Sequence, residues 1–324
     1  MKVYFWGSRG SLPSSVTYSA VKEKVRKALQ AARGLDLSTD EKIDRFIDDF
    51  LPFSIKGTYG CNTPCVELRY GDHSGQYVIC DAGTGLRDLG THIIEHGKPG
   101  SANSPAVFHV FLSHLHWDHI QGFPFFTPAY LPGNVIHFYG FHKEMEQVFY
   151  SQQEYPNFPV SLKNMQSQKS FTLLEPGKVY EIAGLSVFGM RQKHPGDAYG
   201  LSFTADGKKV VYSTDSEHKK ESQCKGYPLI KLYQNADLLI FDAQYSFAEA
   251  IYVKEDWGHS SNLMGVELSV RSGVKHLCMF HNEPTKNDAT LEKMLDETKE
   301  YVEIFSPGYQ LKIDIAYDGL ELEV

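Results

Sequence analysis

The sequence predicts an α/β fold in which helices cover β-sheet. Three observations carry that expectation. Strand-length apolar segments recur through both halves of the 324 residues. Segments with helical spacing stand between some of them. A tight group of three histidines and an aspartate follows directly on one apolar run, and loops at strand ends are where a sheet protein presents functional groups. No internal repeat or low-complexity tract divides the chain, so residues 1–324 read as one domain.

The elements follow in order. Residues 2–8 read as a first strand, then a turn, "GSRGSLPSS". Residues 17–33 carry apolar positions at helical spacing. In "LSTDEKIDRFIDDFL", Ser38 is the expected N-cap, with Glu41 three residues on completing a capping box. Residues 17–51 therefore read as a helical hairpin inserted before the strand "TPCVELRY", too short to hold a core of its own. Its position predicts a lid or a dimer contact. Strands are then expected in "QYVICDAG", "AVFHVFLSH", "NVIHFYGF", "LSVFGMRQ", "LSFTAD", "KKVVYSTD", "DLLIFDAQ", "KHLCMFH" and "QLKIDIAYDG". Helices are expected near 86–96, 142–152, 262–272 and 287–301.

Composition narrows the setting. Hydrophobic residues make up 42% of the chain, enough for a sizeable core. No apolar run reaches the length of a membrane span, and the N-terminus lacks the zones of a signal peptide. Five cysteines without regular spacing point to a reduced, cytoplasmic protein. The formal net charge of -8 argues against a long nucleic-acid ligand, which is usually held by a basic patch. The one basic concentration, "VKEKVRK" at 21–27, reads as a solvated helix face.

The chemistry concentrates in "FLSHLHWDHIQGF", residues 111–123. His114, His116, Asp118 and His119 occupy four of six positions there. Imidazole and carboxylate together suit zinc, manganese or iron. One ion takes three or four ligands, so this density suggests two ions sharing the cluster. His194, Asp215 and His281 each follow a later strand. Singly, each passes for a cap or a surface residue. Together they complete a two-ion set, with His114, His116 and His194 on one ion, Asp118, His119 and His281 on the other, and Asp215 bridging. Two ions a few ångströms apart can clamp a hydroxide nucleophile and the oxygens of a phosphoryl or carbonyl group.

"HLHWDH" resembles the HxHxDH signature of the metallo-β-lactamase superfamily, and the likeness runs over most of the chain. It implies a four-layer αββα sandwich with two divalent metal ions, zinc foremost, at one edge between the sheets. "DAGTG" at 81–85 matches the family's early turn, where Asp81 would brace the histidine loop. The hairpin at 17–51 has no counterpart in the family core.

Family membership alone leaves the substrate open. "FDAQYSFAEAIYVKEDWGHSS", residues 241–261, is similar to a segment of tRNase Z-like phosphodiesterases, in which an acidic residue precedes a "GHS/T" histidine. Asp242 and His259 take those places, though Phe241 replaces a histidine. The resemblance makes His259 a proton donor to a leaving alkoxide, with Asp242 setting its tautomer. The plainer reading of His259 is an N-cap neighbour of the helix from Asn262. Turn residues Ser8 and Asn62 are further candidates for touching substrate, against a purely structural role. "GFPFFTPAYLPG" and Trp117 can wall an apolar pocket for a base, with Phe123 and Phe126 in the core and Phe125 and Tyr130 more open. The remaining histidines (73, 92, 96, 109, 137, 142, 218 and 276) read as structural or surface residues. The chain lacks the long basic arm with which tRNase Z grips tRNA.

The sequence thus points to a dinuclear metal-dependent phosphodiesterase for small phosphodiesters, cyclic nucleotides foremost. Asp118, His259 and Asp242 are its expected catalytic groups. A tRNase Z-type RNA endonuclease is the alternative, followed by a lactone, sulfate-ester or thioester hydrolase. A homodimer is implied by the resemblance.

Overall fold

A computed structural model of the chain describes residues 1–71, 75–252 and 254–324. His73, read as structural or surface, lies outside the described residues. Six strands come first: β1 (Lys2–Gly7), β2 (Cys65–Arg69), β3 (Gln76–Cys80), β4 (Val107–Phe111), β5 (Val135–Gly140) and β6 (Gln168–Leu173). Seven follow: β7 (Val179–Ile182), β8 (Leu185–Gln192), β9 (Ala198–Ala205), β10 (Lys208–Ser213), β11 (Leu238–Asp242), β12 (His276–Phe280) and β13 (Lys312–Ile315). The last, β14 (Glu321–Glu323), returns to the first sheet beside β1. Two seven-stranded sheets result, ordered β14-β1-β2-β3-β4-β5-β6 and β13-β12-β11-β10-β9-β8-β7.

Alternation along the strands builds the layers. Val3, Phe5, Val66 and Phe111 point between the sheets and meet Val187, Phe203, Val210, Tyr212, Ile240 and Phe280 from the other side. The opposite faces pack on helices. Phe108, Val110 and Phe138 meet α4 (Gly85–Glu95) and α5 (Met145–Gln152). Val211, Leu239 and Phe241 meet side chains of α6 (Leu229–Tyr233), α8 (Asn262–Ser272) and α9 (Asp288–Phe305). This is the expected αββα sandwich.

The insertion holds α1 (Tyr18–Ala31), α2 (Asp40–Arg45) and a π-helical turn, Phe46–Phe50, before the short α3 (Phe53–Lys56). Its cap differs from expectation by one residue. Thr39, not Ser38, caps α2, accepting the Lys42 N–H at 3.4 Å. The Ser38 N–H is already taken by the Asp36 carboxylate at 3.2 Å, which holds Ser38 in the preceding turn. Strands β6, β7 and β14 were not anticipated. Each lies at or beside a sheet edge and buries little, so its sequence lacks a full apolar alternation. The short helices α6 and α7 (Phe247–Tyr252) also escape the periodicity. Among the described residues, no helix is long and apolar enough to cross a membrane.

Candidate metal centre

The histidine loop leaves β4 at Phe111 and sits at the sheet edge between the two layers. A 3-10 turn at Trp117–His119 sorts its side chains. With about three residues per turn, successive side chains diverge by roughly 120°. Trp117 accordingly faces solvent at 82% exposure, while Asp118 and His119 are buried. The "DAGTG" loop packs directly beneath. Ala82 N–H donates to His119 O at 2.7 Å, and Gly122 N–H donates to Ala82 O at 2.9 Å. A Cβ on Gly122 would stand 1.8 Å from the Gly83 carbonyl oxygen, so this approach requires glycine.

The seven expected residues meet at this edge, in two groups. Ligand-capable atoms of His114, His116, His194 and Asp215 lie within 4.8 Å of one another, as do those of Asp118, His119 and His281. Asp215 faces both groups. Its Oδ2 is 3.6 Å from His114 Nε2 and 3.6 Å from His194 Nε2. Its Oδ1 is 3.3 Å from His119 Nε2 and 3.3 Å from His281 Nε2. Asp118 Oδ2 lies 3.2 Å from both His119 Nε2 and His281 Nε2. Asp215 thus stands between the two sets of histidines.

Whether this set fits metal can be judged from its unpaired atoms. Nε2 of His114 and Nε2 of His119 are buried without a hydrogen-bond partner. Such atoms cost free energy unless something occupies them. The opposite ring nitrogens are already committed. His119 Nδ1 donates to Asp81 Oδ2 at 2.7 Å, and His194 Nδ1 donates to the Gly258 carbonyl at 2.8 Å. His114 Nδ1 is 3.0 Å from Ser113 Oγ, whose proton goes to Asp81. Those partners leave the inward nitrogens as lone-pair donors, the arrangement metal-binding histidines require. Neutral imidazole suits a ligand, and burial holds His114, His116 and His194 below the ordinary histidine pKa. Burial works against charge on His119 too, but Asp118, Asp215 and Asp81 outweigh it and raise its pKa. The pocket calls for positive charge. The donor set fits divalent metal.

Asp81 occupies the expected bracing position. Its carboxylate accepts from Ser113 N–H, Ser113 Oγ, Tyr212 Oη and His119 Nδ1, each at 2.7 Å. Asp81, Asp215 and His281 all have left-handed backbone, with φ of 61°, 50° and 61°. Such conformations are uncommon outside glycine and gather at functional sites.

Asp242 and His259 also meet beside the cluster. His259 Nδ1 donates to Asp242 Oδ2 at 2.9 Å. The fully buried Asp242 is itself fixed by N–H donors of Ser216 and Gln244 at 3.0 and 3.1 Å. Burial disfavours the His259 cation, yet Asp242 beside it and Asp215 beyond lift its pKa to about 9. The cap of α8 is Ser261, so His259 has no capping duty. A ligand-capable atom of His259 also comes within 4.8 Å of Asp215 and His281, so it stands close to the second group without belonging to the expected set.

Several contributors carry no sequence signal. Ser11 N–H donates to Asp118 Oδ2 at 2.8 Å. Gly258, at φ of 86°, approaches so closely that a Cβ would lie 2.3 Å from the His194 ring. Trp257, 57% exposed, shares with Trp117 a cleft of about 460 Å³ over the cluster. The turn residues considered for substrate contact point inward instead. Ser8 Oγ donates to Asp318 at 3.0 Å, and Asn62 Nδ2 donates to Asp88 at 2.6 Å. Phe123 and Phe126 are core residues, while Phe125 is exposed.

The family model described as "Beta-lactamase superfamily domain" matches residues 76–282, from β3 to the residue after His281. The chain belongs to the beta-lactamase superfamily. Among curated superfamily relatives, Ribonuclease Z of Trichodesmium erythraeum (strain IMS101) is 33% identical over 121 residues, which is 36% of this chain and 33% of that protein. The match thus spans a third of the relative's length. Among solved structures, the metallo-beta-lactamase fold protein YhfI from Bacillus subtilis aligns with a TM-score of 0.63 at 17% identity, covering 100% of this chain and 98% of that one. A diphosphatase from the PhnP family aligns at 0.60 and 17% identity, covering 100% and 97%. These likenesses establish the superfamily fold for this chain.

Proposed function

We propose that this superfamily member is a dinuclear metal-dependent phosphodiesterase acting on small phosphodiesters, cyclic nucleotides foremost. The observation that carries the reading is the His259–Asp242 pair, 2.9 Å apart beside the metal-binding cluster. His114, His116 and His194 would hold one ion, Asp118, His119 and His281 the other, and Asp215 would serve both. Zinc is the first choice for both ions, with manganese or iron as alternatives. When bound, such ions acidify water and neutralise phosphoryl oxygens.

The chain's own residues do the rest. Asp118, fixed by Ser11 N–H, orients the attacking water. Asp242 keeps the proton of His259 Nδ1 in place, which leaves Nε2 as the atom that gives a proton to the departing oxygen. A phosphodiester needs that proton because an alkoxide is a poor leaving group. Trp117 and Trp257 flank the cleft and offer ring faces to a nucleobase. A cleft of about 460 Å³ suits a nucleotide-sized molecule. The net charge of -8 is poorly matched to a long phosphate backbone. Five unpaired cysteines are in keeping with a reducing cytoplasm.

RNA cleavage is the second reading, favoured by the likeness to a protein named Ribonuclease Z. One panel separates the two. Metal-reconstituted protein is given 2′,3′- and 3′,5′-cyclic nucleotides, bis(p-nitrophenyl) phosphate and a pre-tRNA. Turnover of a cyclic nucleotide with pre-tRNA left intact is the expected result. Cleavage of pre-tRNA with cyclic nucleotides untouched would overturn it in favour of the nuclease.

A further inference from the structure

The hairpin at 17–51 carries an exposed apolar face. On α1, Tyr18, Val21, Val25 and Leu29 recur at spacings of three and four, a single helix face. On α2 and the π-helical turn, Ile43, Ile47 and Phe50 do the same. Tyr18 is 81% exposed, and Leu29 and Phe50 are each 67% exposed. Neither α1 nor α2 buries a residue. Scattered exposed apolar side chains are ordinary, but a contiguous group marks a contact surface.

Charge identifies the occupant. Residues 18–33 hold five basic side chains against the single acidic Glu23. Residues 36–50 hold six acidic side chains against Lys42 and Arg45. One arm is therefore basic by four charges and the other acidic by four. The arms do not neutralise each other. Glu23 pairs with Arg26 and Lys27 inside the first arm. Lys42 pairs with Asp36, and Arg45 with Asp49, inside the second. Among the described residues, no ion pair joins the arms. Lys24 leaves the face altogether and ties α1 to the body through Asp288 at 2.6 Å.

A two-fold axis brings the same patch of two copies together, so a residue on one arm meets the other arm of the partner. With Lys24 tied to the body, the arms present three positive and four negative net charges, and a surface whose halves are oppositely charged is self-complementary under that operation. A flat, single-signed partner would repel one arm. We propose that two copies of this chain associate through the hairpin, the basic α1 of each lying on the acidic α2 arm of the other with the apolar faces between them. A 14-residue α1 is about 21 Å long. The second arm, residues 40–50, is shorter, so the contact rests on two short helical segments and is small beside a standard interface. The dimer should accordingly dissociate at micromolar concentrations.

Sedimentation velocity over about 1–100 µM protein tests this, at low and high salt. The parent should pass from monomer to dimer, and more weakly at high salt because exposed pairs are screened. Two charge-swapped variants sharpen the test. Lys22→Glu/Arg26→Glu/Lys27→Glu takes the first arm from a net four positive charges to two negative, so both arms are acidic, and Asp44→Lys/Asp48→Lys/Asp49→Lys takes the second from four negative to two positive, so both are basic. Each alone should associate at least about tenfold more weakly than the parent. Mixed in equal amounts, they should restore dimer, because each arm then meets its opposite. Leu29→Asp should abolish association in both salts while leaving the metal content of the parent. A parent monomeric at all concentrations would overturn the proposal. So would swap variants that dimerise as the parent does, or a mixture that fails to recover.

Discussion

The metal edge and the hairpin are held in opposite ways. At the edge, the inward nitrogens of His119 and His194 are fixed by a bond on the far side of the ring, to Asp81 and to the Gly258 carbonyl. The hairpin touches the body through few polar ties, chiefly Lys24 to Asp288 and to the carbonyls of Ser54 and Gly57. Phe46 and Leu51 are buried, but most of its large apolar side chains are exposed. The edge is built for one geometry and gains from rigidity. The hairpin is built to meet something else. Substitutions should therefore act in separate compartments: metal and turnover for the edge, association for the hairpin.

The largest effect should come from breaking the edge. His116→Ala removes one member of the more exposed group, and elemental analysis should find fewer than the expected two ions per chain. Turnover should fall to background in the same preparation. Chelation of the parent should lower its thermal midpoint, since ions that bind the folded state stabilise it. A variant that stays active with two ions would mean the cluster is not the site.

A smaller effect should follow from loosening the brace. Asp81→Asn puts an amide donor among four groups that donate to this carboxylate. Metal affinity should drop by roughly 10–100-fold, measured by competition with a chromogenic chelator. Unchanged affinity would mean His119 is held by its surroundings without Asp81.

The hairpin should give the converse pattern. Replacing 17–51 with a short linker should leave metal content intact and remove self-association in sedimentation. The mildest change is Lys24→Met, which cuts the tie to Asp288 while Asp288 keeps the Tyr59 N–H at 2.9 Å. A fall of about 1–3 °C in thermal midpoint is expected, with metal content unchanged.

The same contrast governs what the sequence disclosed. Four ligand-capable residues in six positions of "HLHWDH" are legible because loop chemistry is local. His194, Asp215 and His281 are far apart in the chain, and only the strand ends and the family likeness gathered them. Ser11 and Gly258 act through backbone N–H and C=O groups that every residue carries, so nothing marked them. Trp257 stayed hidden because its role depends on where a loop lies over the cleft. The hairpin's helices were legible from spacing, but its cap moved to Thr39 because Asp36 had claimed the Ser38 N–H. Edge strands such as β7 bury too little to show a pattern.

The most direct test concerns His259, placed against Asp242 and outside the two expected ligand groups. His259→Ala should keep both ions by elemental analysis. Its turnover is then compared on two substrates. A cyclic nucleotide leaves as a basic alkoxide and should lose roughly 10²–10⁴-fold, the worth of a positioned general acid. Bis(p-nitrophenyl) phosphate leaves as a stable anion and should lose far less. Equal losses on both substrates, or loss of an ion, would contradict the assignment of His259 as proton donor and the phosphodiester reading that rests on it.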